Sequence, residues 1–382
     1  MRLLKNGLID KETGLKCLKS SFTIHCVELS LRTPFESSLG VERERKSLIL
    51  DFRSEGIRAF SECATFENPY YSFEDNSTAI HIIRDHLAEE LKKEPSPEEF
   101  LKRTAHIRGH NMAKAAVEML LWDFHCKLKN VSIAEELGNP RGHARVGISL
   151  GFEDNHVLLL KKVEAAVKRG YRRIKIKIKR GTEYHWIKSV RDSYPELPLS
   201  IDANGCYTLK DVQDLKRLDK FDLLYIEQPL EHDDLIDHAV LAKQISTPIC
   251  LDESISSPRS ARQAFESGAA KIVNIKPGRL GGLVNSVKIG KIAREYDGGV
   301  WVGGMLETGI GRSFNVALAS QRFVGLPGDT SPNDEYFLRD IVNNPFEMTG
   351  KGTMKPNTGP GIGVELDDEF LKSSTKQSLK IF

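Results

Sequence analysis

The chain has 382 residues, of which 40% are hydrophobic and 28% charged, and its formal net charge is +2. That length suits two domains, one of them large, with the composition of a water-soluble globular protein. The near balance of charge, with no long basic and aromatic-interleaved stretch, argues against a nucleic-acid partner, and no run approaches the length of apolar sequence that crosses a membrane.

In chain order, residues 1–22 read as an extension. Charges interrupt each apolar run of MRLLKNGLIDKETGLK, so the segment lacks the apolar core of a signal peptide. Residues 23–32 (TIHCVELSLR) alternate as a strand does, and 47–63 read as two strands about the turn Ser54-Glu55-Gly56. Helical periodicity follows at about 77–92, 97–107 and 111–129, with Met112, Ala113, Ala116, Met119, Leu120 and Phe124 on one face of the third. Residues 23–140 are therefore expected to form an α+β domain. Cys17, Cys26, Cys63, Cys126, Cys206 and Cys250 form no CxxC pair. Several sit in apolar runs such as PICLDES, where a reduced buried thiol is the ordinary state, which favours a cytoplasmic setting.

From about Arg145 the texture changes. The runs VGISL, RRIKIKI, LPLSID, FDLLYIE, TPICLDE, AKIVNIK and GVWVGG alternate with segments of helical period such as HVLLLKKVEAAVKRG. Alternating strands and helices imply a parallel sheet, because each parallel connection needs a crossover. Lys177, Asp202, Glu227 and Asp252 follow one another at intervals of 25 residues, and Lys276 comes 24 later. Such a repeat points to a (β/α) barrel over 141–330 with polar residues at the same end of consecutive strands. Residues 331–382 lose the repeat and are expected to return to the first domain.

Asp202, Glu227 and Asp252 each end an apolar run. On a parallel barrel these strand ends converge, and three carboxylates there repel unless a cation neutralises them. Hard oxygen donors without Cys or His select Mg²⁺ or Mn²⁺ over zinc. One acid after a strand reads equally well as the cap of the next helix; three in phase do not. Lys175 and Lys177 share one face of their strand. Alone, that strand reads more readily as a basic surface, given Arg172, Arg173, Lys179 and Arg180. Beside a metal and beside each other, however, the lysines would be depressed toward neutrality, and such a lysine is a usable base. Lys276 ends the sixth strand, across the barrel from the second. Arg279 could tune it or be an ordinary loop arginine. In VWVGGMLETGIGRSF the glycines precede a helix, whose N-terminus would hold a carboxylate.

The residues KIK (175–177), Asp202-Ala203-Asn204, Glu227-Gln228-Pro229, Asp252-Glu253-Ser254 and Lys276, in that order, resemble the enolase superfamily, specifically its muconate lactonizing enzyme subgroup. NIKPGRLGG, GGMLETGIGR, LPGDTS and NTGPGIG bring the likeness closest to the o-succinylbenzoate synthase/N-acylamino acid racemase family. The resemblance runs from about residue 23 to the end. It implies a (β/α)7β TIM-like barrel with an α+β capping domain built from the N-terminal region and the C-terminal segment. It implies that Asp202, Glu227 and Asp252 bind Mg²⁺, that Lys177 and Lys276 are the acid/base pair, and that Lys175 modulates Lys177. Asn204, Glu253, Arg279, Gly304, Met305 and Glu307 would face a small carboxylate substrate. The chemistry implied is removal of an α-proton to give an enediolate, followed by dehydration or racemisation, and a homo-oligomer is expected. TPFESSLG (33–40) and FENPYYSFED (66–75) resemble loops that close the site. After KIK the chain reads Ile-Lys-Arg-Gly where the family often has an acid and a proline. Another cycloisomerase or epimerase of the subgroup, a Schiff-base aldolase with its lysine on the sixth strand, and a barrel that only binds a ligand are the competing readings.

Overall fold

The computed structural model describes residues 20–37, 40–153 and 155–382. The first 19 residues of the expected extension, and residues 38 and 39 of the expected loop 33–40, lie outside the described residues. β1 (Ser21–Ser37), β2 (Gly40–Ser54) and β3 (Ile57–Cys63) form an antiparallel meander. The backbone flanking residues 38 and 39 is thus a hairpin, with Ser37 opposite Gly40. β1 starts earlier than residue 23, and Phe22 is fully buried. Between β2 and β3, Glu55 and Gly56 both take positive φ, 50° and 78°. A two-residue turn of that hand matches the twist of the strands.

β1 serves two cores, because its side chains alternate. Phe22 and Ile24 face the cap helices, whereas Val27, Leu29 and Leu31 join the core that continues into the barrel. The helix Asn111–Lys129 is buried on both sides in the same way. Ala113, Ala116, Leu120 and Phe124 pack into the cap, and Ala115, Met119 and Cys126 into the barrel core.

After the two-residue β4 (Ala144–Arg145), the barrel strands are β5 (Ile148–Leu150), β6 (Ile174–Lys177), β7 (Leu199–Asp202), β8 (Ile226–Glu227), β9 (Ile249–Leu251), β10 (Ile272–Ile275) and β11 (Gly299–Val302). They lie in sequence order in one parallel sheet. The extended segment 326–329 closes the ring. Leu326 and Asp329 donate to the carbonyls of Val300 and Val302, and Gly147 donates to Gly328, which donates to Arg145. The approach requires glycine at 328, where a Cβ would stand 2.2 Å from the Val302 oxygen. Finally β12 (Thr353–Met354) pairs with β4, and β13 (Thr375–Lys380) adds to the cap beside β1. Among the described residues no helix is long and apolar enough to cross a membrane.

Two buried cap carboxylates fasten the cap to barrel helices. Glu62 on β3 accepts from Thr308 N, Thr308 Oγ1 and Gly311 N at the start of helix Gly309–Ala319. Glu118 accepts from Leu283 N (3.0 Å) and Val284 N (2.9 Å) at the start of helix Leu283–Glu295. Burial pushes both carboxyls up to about 7, while the N–H groups and the positive end of each helix favour the charged form. Gly282 (φ 116°) leaves room for Glu118, since a Cβ there would lie 2.3 Å from Oε2. Glu118→Ala strands two buried N–H groups. It is expected to cost about 2–4 kcal/mol of stability, read as a lower midpoint of urea unfolding.

Candidate active site

Alternation divides each barrel strand. Ile174, Ile176, Ile201, Ile226, Ile249, Leu251, Val273 and Ile275 join the core that the outer helices share, while the residues between them face the axis. Deepest are Arg173 and Trp301: the guanidinium lies 5.1 Å from the indole, which stacks on Tyr225 at 6.0 Å. Above them the charged groups begin. Lys175 Nζ lies 2.6 Å from Glu227 Oε2, 2.7 Å from Asp329 Oδ2 and 3.5 Å from Asp202 Oδ2. Lys177 Nζ is 3.0 Å from Asp202 and also donates to Asn204 Oδ1. Lys276 Nζ is 2.7 Å from Asp252, which Arg279 also engages. Glu227 is fully buried, and its other oxygen accepts from Asn274 Nδ2 at 2.8 Å.

The register brings this about. Lys177 is the neighbour of Asp202, and Asp202 of Glu227, across β6, β7 and β8. With the segment 326–329 in the eighth place, β6 and β10 stand at opposite positions, so Lys177 and Lys276 meet one cavity from two sides. Asp202, Asn204, Asp252, Gly304 and Met305 line that cavity with the three lysines. The cap supplies its roof through Glu42, Phe66, Tyr70 and Tyr71.

Some expected residues do other work. Glu307 is buried and accepts from Met305 N (2.8 Å) and Asn315 Nδ2 (2.9 Å), so it shapes the loop after β11 and does not line the cavity. The helix N-terminus that follows holds a carboxylate of the protein, since Glu62 and Asp340 take its N–H groups. Arg279 is likewise behind the cavity wall, donating to the carbonyls of Ile255 and Asn274 as well as to Asp252. Glu253 accepts from Asn204 Nδ2 at 3.0 Å, and its Oε2 is buried without a partner.

The acids around Lys175 set its charge. Burial pulls Lys175 down, but the carboxylates of Asp329, Glu227 and Asp202 outweigh it and hold the ammonium well above its ordinary range. Asp329, on the closing segment, is the acid among them that does not end a barrel strand. Burial pushes Asp202 up, and Lys177 and Lys175 overcome it to hold the carboxyl down at about 2. Burial raises Glu227 and Glu253, and the nearby Asp202 charge adds to both. Among the described residues, no three His, Cys, Asp or Glu side chains surround one point as an ion would need. Asp202, Glu227 and Asp252 are each turned to an ammonium or guanidinium.

Asn274, Asp329, Gln228 and Tyr71 complete the site; the sequence marked Gln228 only as part of a motif and Tyr71 only as part of the closing loop 66–75, and gave none of the four a role. Asn274 could have been found, two residues before Lys276 and so on the same face. Gln228 (φ 37°) accepts through Oε1 from Asp252 N and donates to Ser254 Oγ, pinning the exits of β8 and β9 together.

The N-terminal part of the chain, residues 19–138, matches the model of the mandelate racemase/muconate lactonizing enzyme N-terminal domain, and residues 159–370 match the enolase C-terminal domain-like model. The chain belongs to the enolase superfamily. This superfamily member is 40% identical over 353 residues to o-succinylbenzoate synthase of Bacillus subtilis, covering 92% of this chain and 95% of that one. It is 41% identical over 359 residues to N-succinylamino acid racemase of Amycolatopsis sp., covering 93% and 97%. A solved enolase superfamily member from Listeria innocua superposes with a TM-score of 0.92 at 38% identity, over 95% of this chain and 98% of that one.

Removing the Asp329 carboxylate alone leaves Arg173 and Lys175 short of a counter-charge in the interior. Asp329→Asn is expected to cost about 3–5 kcal/mol of stability, measured by urea unfolding, and replacing Arg173 by Met with Asp329 by Leu recovers most of it.

Proposed function

We propose that the chain removes the proton α to the carboxylate of a small acid and stabilises the enediolate. The observation that carries this reading is the pair of amines, Lys177 and Lys276, lining one cavity from opposite positions of the ring. On this reading they are the acid/base pair, and Lys175 modulates Lys177 from two residues away. Asn204, Gly304 and Met305 would face the substrate.

Asp202, Glu227 and Asp252 would hold Mg²⁺ or Mn²⁺. The donors fit in chemistry: three carboxylates end adjacent strands with no soft ligand among them, and beside them one Glu253 oxygen is buried without a partner. Arg173, Lys175, Lys177, Lys276 and Arg279 face Asp202, Glu227, Asp252, Glu253 and Asp329, one anion for each cation. A divalent cation added to that set leaves an excess of positive charge, which a dianionic substrate would cancel. When bound, the ion would take up the charge that the substrate carboxylate gains as the α-carbon loses its proton.

The chain's own groups then do the proton work. One lysine takes the α-proton. If the opposite lysine returns a proton on the other face, the product is the other enantiomer of an N-succinylamino acid. If a β-hydroxyl leaves instead, the product is o-succinylbenzoate. Relatives of both names stand at the same level of identity, which supports the shared first step. A cytoplasmic setting suits the five free cysteines among the described residues.

Racemisation of an N-succinylamino acid and dehydration of the o-succinylbenzoate precursor should both stop in EDTA and return with Mg²⁺. Lys177→Ala and Lys276→Ala should each slow racemisation by about 10³-fold, followed by polarimetry. Activity that survives chelation, or that borohydride traps as a covalent adduct, would sink the reading.

A further inference from the structure

The two lysines are held differently. Lys177 is bound by barrel residues alone, Asp202 and Asn204. Lys276 has a partner from the cap. The Tyr71 hydroxyl accepts from Lys276 Nζ at 3.1 Å and from Arg279 Nη1 at 3.2 Å, and reaches Asp252 Oδ1 at 3.4 Å. The ammonium also sits 4.7 Å from the centre of the Tyr71 ring. Tyr71 lies in the segment 66–75, where its ring packs on Phe66 at 6.3 Å, and the buried Arg45 guanidinium lies 4.3 Å over the Phe66 ring. The side chains run Arg45, Phe66, Tyr71, Lys276, from the cap sheet to the end of β10.

From this asymmetry we propose that Tyr71 is a positioning residue for Lys276 and not for Lys177, so that the cap completes one of the two proton-transfer faces and leaves the other to the barrel. The proposal rests on the acid/base reading of the lysines. A side chain of four carbons ending in an ammonium has many rotamers; the phenol, by bonding Nζ and stacking below it, selects the one aimed into the cavity. Without the hydroxyl, Lys276 keeps its contact with Asp252 but loses the restraint on its other side. Lys177 loses nothing.

The test follows α-proton exchange in D₂O by NMR for the two enantiomers of N-succinylphenylalanine, with Mg²⁺ present. The enantiomer that Lys276 serves is the one whose exchange is lost in Lys276→Ala and kept in Lys177→Ala. In Tyr71→Phe, exchange of that enantiomer is expected to fall about tenfold relative to the other, with kcat changed more than KM. Phe73→Ala is the control for a loosened loop. Phe73 is exposed and packs edge-on against His110 at 6.1 Å, away from both lysines, and its loss is expected to slow both enantiomers together. Equal slowing of the two enantiomers in Tyr71→Phe, or no slowing, overturns the proposal while leaving the acid/base reading intact. Failure of the unmodified protein to exchange either enantiomer overturns the acid/base reading and this proposal with it.

Discussion

Ion pairing along the barrel axis governs this molecule. A parallel barrel whose strand ends carry three acids and three lysines is stable only if each buried charge meets its opposite. Lys175 does most of that work, reaching Glu227, Asp329 and Asp202 from one position. Arg173 and Asp329 extend the pairing downward to Trp301. The hydrophobic surface of the strands faces the helices, so the polar interior can be compact without weakening the main core. The same arrangement keeps carboxylates and amines together where a small acid can enter.

Much of this is legible in the sequence, because a barrel repeats. The acids show through their common interval, and Lys175 and Lys177 through the two-residue alternation of a strand. The (β/α) fold follows from those phases. What escapes has physical reasons. Asp329 sits on a closing segment, LPGD, that is too short and too polar to read as a strand; its glycine answers a close backbone approach. Tyr71 lies in the segment 66–75, which resemblance marks as a closing loop; its bond to Lys276 escapes, because no spacing in one part of a chain reports a contact with another. Glu307 has the right neighbours for a ligand residue, yet its loop turns it toward its own backbone.

The cap is tied to the barrel by more than its shared core. β1 divides its two faces between the cores, and the helix Asn111–Lys129 does the same. Glu62 and Glu118 reach further and end on helix termini of the barrel. The roof residues Glu42, Phe66 and Tyr70 are therefore carried on a body whose position is set by polar contacts away from the cavity.

Those polar contacts also occupy one place where a ligand could otherwise be held. Barrels of this kind often bind phosphate through the loops after the seventh and eighth strands and a nearby helix N-terminus. Here the amides of Thr308, Gly309 and Gly311 are consumed by Glu62 and Asp340. A phosphorylated metabolite would find carboxylates already seated where its phosphoryl oxygens would go. The scaffold has exchanged that common handle for interdomain cohesion.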